Sequence, residues 1–300
     1  MYGMPNTNGM MLASANPAVQ FFTVGGGGGP GNHHGYYGRL YKAWYLAGVA
    51  AASVEPGGRL GIVGSYVTPA VVRHINAFVR GAQSVDPDIV AEVQWMGEWV
   101  DTSSGGEDSD RTLAKSLVAN GATVVAYHGY NRFAAQAVLE ETDAWVIGNN
   151  LLPYVEGAGE QTPWCNQAKC LGTVYWNWAP LYRRLIGDAH SASLGPNAGA
   201  NDNIAVDPAL SVPNFHLEVA SLQEANDLLL KDLAADGGVG LPFRGPFSFT
   251  DGKVVEAEQT LNDGDLGSMC RFVVGVVEKD GEGMDVPALV PPEGDCTPPE

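Results

Sequence analysis

The feature that most constrains this chain is the regular alternation of short apolar runs with amphipathic stretches between residues 41 and 147. Residues 59–64, 89–95, 122–127 and 144–147 are apolar-rich runs of strand length. Between them, 68–84 carries Val71, Val72, Ile75, Phe78 and Val79 at helical spacing. Residues 109–120 and 132–140 read as two more helices, the first ended by the C-cap signal Asn120-Gly121. A helix over 38–53 precedes the series. Strands that are apolar along their whole length must be buried on both faces, which requires a parallel sheet with helices on each side. The predicted fold class is therefore α/β and doubly wound.

The flanks are less regular. Residues 19–24 read as a short strand that ends at the glycine run 25–29. That run lacks a following Gly-Lys-Ser/Thr, so a connecting loop is the simpler reading than a phosphate cradle. Residues 171–175 read as a strand and 178–187 as a helix, 191–208 as an exposed loop, 215–220 as a strand and 222–235 as a helix. The tail after 278 is rich in Gly, Pro and acidic residues and reads as a loose end.

Charge removes one class of function. With 34 acidic against 16 basic residues the net charge is −18, a surface that repels phosphate backbones, so no nucleic-acid partner is expected. No apolar run is long enough to span a bilayer. The four cysteines at 165, 170, 270 and 296 are an even set. Cys165 and Cys170 enclose a short hydrophilic loop with no histidine beside it, so a disulfide fits better than zinc; the state of Cys270 and Cys296 is left open. His33-His34 alone do not make a metal site, and no cofactor motif is present.

In open parallel sheets, ligands sit beyond the carboxyl ends of the strands. The residues there are Gly64-Ser65-Tyr66, Met96-Gly97, His128-Gly129-Tyr130-Asn131, Gly148-Asn149-Asn150 and Trp176-Asn177-Trp178. Amides and aromatic rings with few charges suit a flat, neutral ligand held by stacking and hydrogen bonds.

Four stretches, 32–50 (NHHGYYGRLYKAWYLAGVA), 61–88, 174–184 (VYWNWAPLYRR) and 243–277, resemble in order and spacing the basic membrane protein family of ABC-transporter substrate-binding lipoproteins, which includes purine nucleoside and adenine receptors. The resemblance implies a type I periplasmic-binding-protein-like fold with two lobes and a central ligand cleft. One lobe would span 59–170. The other would combine 1–58 with parts of 171–278, and would be incomplete, with 279–300 as an acidic tail. It further implies a purine-like small-molecule ligand, an ABC transporter permease as partner, a monomer, and a periplasmic or cell-surface lipoprotein whose signal segment is absent from these residues.

Position by position, the resemblance places Tyr2 and Met4 on a base-stacking turn. It places His128 and Tyr130 on a loop bearing a second cleft aromatic, with Asn131 beside them. Asn150 falls where the family bonds the ligand's polar edge, and Trp176, Asn177 and Trp178 match a crossover near the cleft. Leu151-Leu152-Pro153 departs from the family, which often carries an acidic residue there, and the loop 153–170 is longer than usual.

Each candidate has a plainer reading. Tyr36 opens a helix and is expected to pack more often than to bind. Trp176 and Trp178 would point to opposite faces if extended, so that at most one meets a ligand. His128 has no carboxylate or cysteine motif around it, which favours neutral hydrogen bonding over catalysis. Asn149-Asn150 can be a simple turn. A Rossmann-like enzyme would need GxGxxG, GxSxG or HExxH in a fitting context, and none is found. The alternative to transport is a ligand sensor or regulator on the same fold.

Overall fold

The structure, a computed structural model, describes residues 7–24, 31–36, 38–97, 108–129, 133–150, 169–176, 178–191, 209–211, 227, 231 and 240–279. In chain order its elements are α1 (Thr7–Ala15), β1 (Phe21–Val24), β2 (His33–Tyr36), α2 (Tyr41–Val54), β3 (Arg59–Gly64), α3 (Pro69–Gln83), β4 (Ala91–Trp95), α4 (Asp108–Ala119) and β5 (Ala122–His128). There follow α5 (Phe133–Glu141), β6 (Trp145–Asn149), β7 (Cys170–Tyr175), α6 (Ala179–His190), β8 (Ala209–Ser211), β9 (Phe247–Ser248), β10 (Val254–Val255), α7 (Asp263–Gly267) and β11 (Val276–Glu278).

The chain divides into two compact units, one of 1–40 with 176–209 and one of 41–175 with 210–300. The larger unit is built on a seven-stranded sheet of order β11-β4-β3-β5-β6-β7-β8, parallel at every pair from β11 through β7. One face is closed by α4 and α5, whose Leu113, Leu117, Ala134 and Val138 pack with Val63, Val125, Tyr127 and Val146 of the strands. Alternate strand residues point the other way. Leu60, Ile62, Ala126 and Ile147 on that second face are also buried, so the sheet is covered on both sides as the apolar runs require.

Helix α3 begins at Thr68, whose hydroxyl accepts from the Val71 N–H, with Pro69 in the first turn where its missing donor costs nothing. Helix α2 is buried all round, from Tyr41 to Ala52. The two helices meet through facing glycines. A methyl group at Gly48 would overlap the Phe78 carbonyl, and one at Gly81 the Tyr45 carbonyl. This backbone-to-backbone approach ties α2 to α3 within the larger unit. At the end of the described residues, β11 pairs Val276 with Ala91 at the edge of the large sheet.

Residues 240–279 hold little regular structure, and polar side chains of α3 fix them. Asn76 donates to the Arg271 carbonyl (2.8 Å) and accepts from the Val273 N–H (3.0 Å). Arg73 donates to Leu266 O, Arg80 to Pro242 O and Arg244 O, and Gln83 to Val274 O. Positions 73, 76, 80 and 83 lie on one helix face.

In the smaller unit β1 and β2 form a two-stranded parallel sheet, pairing Phe21 with His33 through Val24 with Tyr36. Asn32 stitches the preceding turn by donating to the carbonyls of Ala13, Asn16 and Val19. Neither α1 nor β2 is anticipated in the sequence. The expected elements over 215–220 and 222–235, the loop 191–208 and the tail after 279 fall wholly or almost wholly outside the described residues.

Candidate functional site

The carboxyl ends of β3, β5 and β6 lie side by side, because Gly64 is in register with His128 and β5 pairs with β6. Ser65, His128 and Asn149-Asn150 are therefore neighbours at one end of the sheet. The preceding strand residue, Tyr127, belongs to the α4–α5 side, so the His128 ring projects to the opposite side, beneath α3. There His74 of α3 meets it, Nδ1 to Nε2, at 2.9 Å. On its other side His128 Nδ1 lies 3.4 Å from Ser65 Oγ.

Trp44 of α2 covers the pair. Its ring stacks on His128 (5.5 Å, 20°) and on His74 (6.5 Å, 22°), and the two imidazoles are 5.3 Å apart. Burial lowers the basicity of both imidazoles. His128 is pushed down to about 4, and His74 lies well below its ordinary value through burial and the charges of His128 and Arg73. Both rings are neutral at physiological pH, which suits hydrogen bonding to an uncharged ligand.

Asn149 is almost fully buried and donates to the Gly129 carbonyl (3.3 Å), while its Oδ1 has no partner among the described residues. Thr173, on neighbouring β7 and also buried, has a hydroxyl with no partner there. Asn150 takes the left-handed conformation (φ 54°), which asparagine tolerates better than most residues, and its N–H donates to Val174 O at 2.7 Å. The site thus presents unsatisfied polar atoms on neutral side chains, and a buried group of that kind calls for an explanation.

The remaining aromatic candidates gather in the smaller unit. Tyr36 is buried, meets Trp178 edge to face (5.3 Å, 82°), and shares a hydrogen bond with Tyr182 through the two hydroxyls (2.9 Å). Burial and that bond raise the Tyr36 phenol well above its ordinary value. Trp176 and Trp178 stack face to face at 4.8 Å and 12°. The expectation that they point to opposite faces is corrected: Trp178 has helical backbone angles (φ −74°, ψ −16°) as it enters α6, so strand alternation does not apply.

Tyr2, Met4, Tyr130, Asn131 and Asn177 lie outside the described residues. So does Cys165, the expected partner of Cys170. Cys170 and Cys270 are each disulfide-bonded. His33 and His34 have separate partners, Thr23 Oγ1 (2.9 Å) and Gln20 Oε1 (2.7 Å). A cavity of about 250 Å³ at the opposite, amino-terminal end of β3 and β4 is lined by Gly57, Arg59, Asp86 and Asp88 and involves none of the candidate residues.

His74 and Trp44 escape sequence reasoning because both sit on helices, where the strand-end rule does not reach. The available signal was a histidine interrupting the apolar positions of α3, between Val72 and Ile75.

Residues 10–158 match the Bmp family, described as ABC transporter substrate-binding protein PnrA-like. A purine-binding protein of Brucella abortus is 28% identical over 274 residues, covering 89% of this chain and 71% of that protein. A putative ABC transporter glucose-binding protein of Haloferax volcanii is 30% identical over 158 residues, 53% of this chain but only 37% of that protein. Among solved structures, an ABC transporter solute-binding protein of Conexibacter woesei superposes with a TM-score of 0.56 at 21% identity, covering 76% of this chain and 73% of that one.

Proposed function

We propose that the chain, which matches the Bmp family of PnrA-like ABC-transporter substrate-binding proteins over residues 10–158, captures a purine base or nucleoside at the carboxyl ends of β3, β5 and β6 and presents it to an ABC permease. The observation that carries this reading is the neutral polar rim itself. Ser65, His128 and Asn149 converge there, with unsatisfied Asn149 Oδ1 and no charged side chain among them. A purine offers ring nitrogens and exocyclic groups to such a rim, and each stacked base adds about 1–3 kcal/mol on aromatic platforms.

The ligand of the Brucella abortus relative is the same class, which supports purine over the sugar suggested by the Haloferax volcanii protein's name. The match to a substrate-binding family supports binding rather than catalysis. Within this proposal the protein acts as a monomer outside the cytoplasm, held to the membrane by a lipid anchor.

Calorimetric titration with adenine, adenosine, guanosine, inosine and glucose tests the reading. Saturable binding of at least one purine, and none of glucose, is the expected result. Tight glucose binding with no purine response would refute it.

A further inference from the structure

His74 is the group at the site that no strand-end rule accounts for. Its imidazole is buried on α3 and, among the described residues, bonds only to another imidazole, whose far side faces a serine. Neutral imidazole carries one N–H and one bare nitrogen, so the line His74–His128–Ser65 has two possible directions. In one, His128 Nε2–H donates to His74 Nδ1, and the atom left over is an N–H at His74 Nε2. In the other, His74 Nδ1–H donates to His128 Nε2, and the atom left over is a bare lone pair. His74 Nε2 is buried and has no partner among the described residues. A buried N–H without an acceptor is the rarer and costlier of the two, which selects the second direction.

We propose that His74 is a positioning residue for ligand binding: its Nδ1–H fixes His128 in the Nδ1–H tautomer, and this commits Ser65 Oγ to accept from His128 and leaves the serine hydroxyl hydrogen to donate. Ser65 then recognises an acceptor, such as a bare ring nitrogen or a carbonyl oxygen of a purine. Trp44, stacked over both rings, excludes water that would otherwise let either tautomer form. The ligand part of this inference rests on the purine reading above; the tautomer part does not.

The two parts are tested separately. Nitrogen-15 NMR of the full chain at neutral pH reads the tautomer of His128 without ligand. The expected result is Nδ1–H in the wild type and in His74→Asn, whose amide places a donor near the lost Nδ1, and a shift to Nε2–H in His74→Leu. In calorimetry at the same pH, His74→Leu is expected to weaken purine binding about tenfold, the worth of one misdirected hydrogen bond. His74→Asn should stay within about threefold of wild type on the same scale. An Nε2–H tautomer in the wild type overturns the inference, as does identical behaviour of the two variants in both measurements. A wild-type protein that binds no purine refutes the functional reading instead, and the tautomer then decides the assignment of His74 alone.

Discussion

At the scale of single residues, the buried imidazoles tie stability to acidity. His128 titrates at about 4 in the folded chain, while an exposed histidine titrates near 6.5. Its folded value is depressed, so its contribution is complete above about pH 6.5 and is lost as pH falls toward 4. At about 1.4 kcal/mol per pH unit the window is worth on the order of 3 kcal/mol. His74 acts in the same direction, with Arg73 as its charged neighbour on α3. Denaturant titrations at pH 7 and near pH 4.5 should therefore show a larger loss for wild type than for His128→Gln, which removes the titrating ring. Equal losses in the two proteins would show that this imidazole does not couple to folding.

His128 and Asn150 could be found from sequence because they directly follow apolar strands, and the strand-end rule needs no tertiary information. His74 and Trp44 could not, since only the fold brings α2 and α3 over the end of β5. The mutual direction of Trp176 and Trp178 depends on one backbone turn that their spacing does not encode.

At the scale of elements, β3 to β6 and the helices between them were legible to within a few residues. Each is short, strongly apolar on a defined face and bounded by clear turn chemistry. β2 was hidden because His33-His34-Gly35 has no apolar pattern, although the strand is buried throughout. α1 was hidden for the opposite reason: it presents Met11 and Leu12 to the surface, so no buried stripe marks it.

The contact between α2 and α3 was equally silent, because a glycine in a helix reads as a weakness until its partner is known. Gly48→Ala and Gly81→Ala each force a methyl group against a backbone carbonyl that cannot swing aside. Each should cost about 2 kcal/mol or more in denaturant unfolding. Because either change already separates the helices, the double variant should lose clearly less than the sum. Full additivity would mean that the two glycines do not share one contact.

At the scale of the whole molecule, the described chain ends by returning to where the sheet began. β11 adds to β4 from some 180 positions further along the sequence, a pairing that no local pattern announces. The segment 240–279 is too irregular to hold itself and relies on the polar face of α3. Asn76 is the centre of that face. It is fully buried, and both ends of its amide are used on this one segment. Asn76→Ala would strand the Val273 N–H and the Arg271 carbonyl, at about 1–3 kcal/mol for each buried group left unpaired. The loss should be local before it is global, because α3 keeps its apolar contacts with α2, while Phe272, Val273 and Val276 lose the anchor that seats them. Hydrogen exchange on the variant should show amides in 240–279 exchanging much faster, with β3, β5 and β6 retaining most of their protection. If the central strands lose protection in step with the C-terminal segment, the segment is not an appended strap but part of the same cooperative unit as the sheet, and the role assigned to Asn76 is wrong.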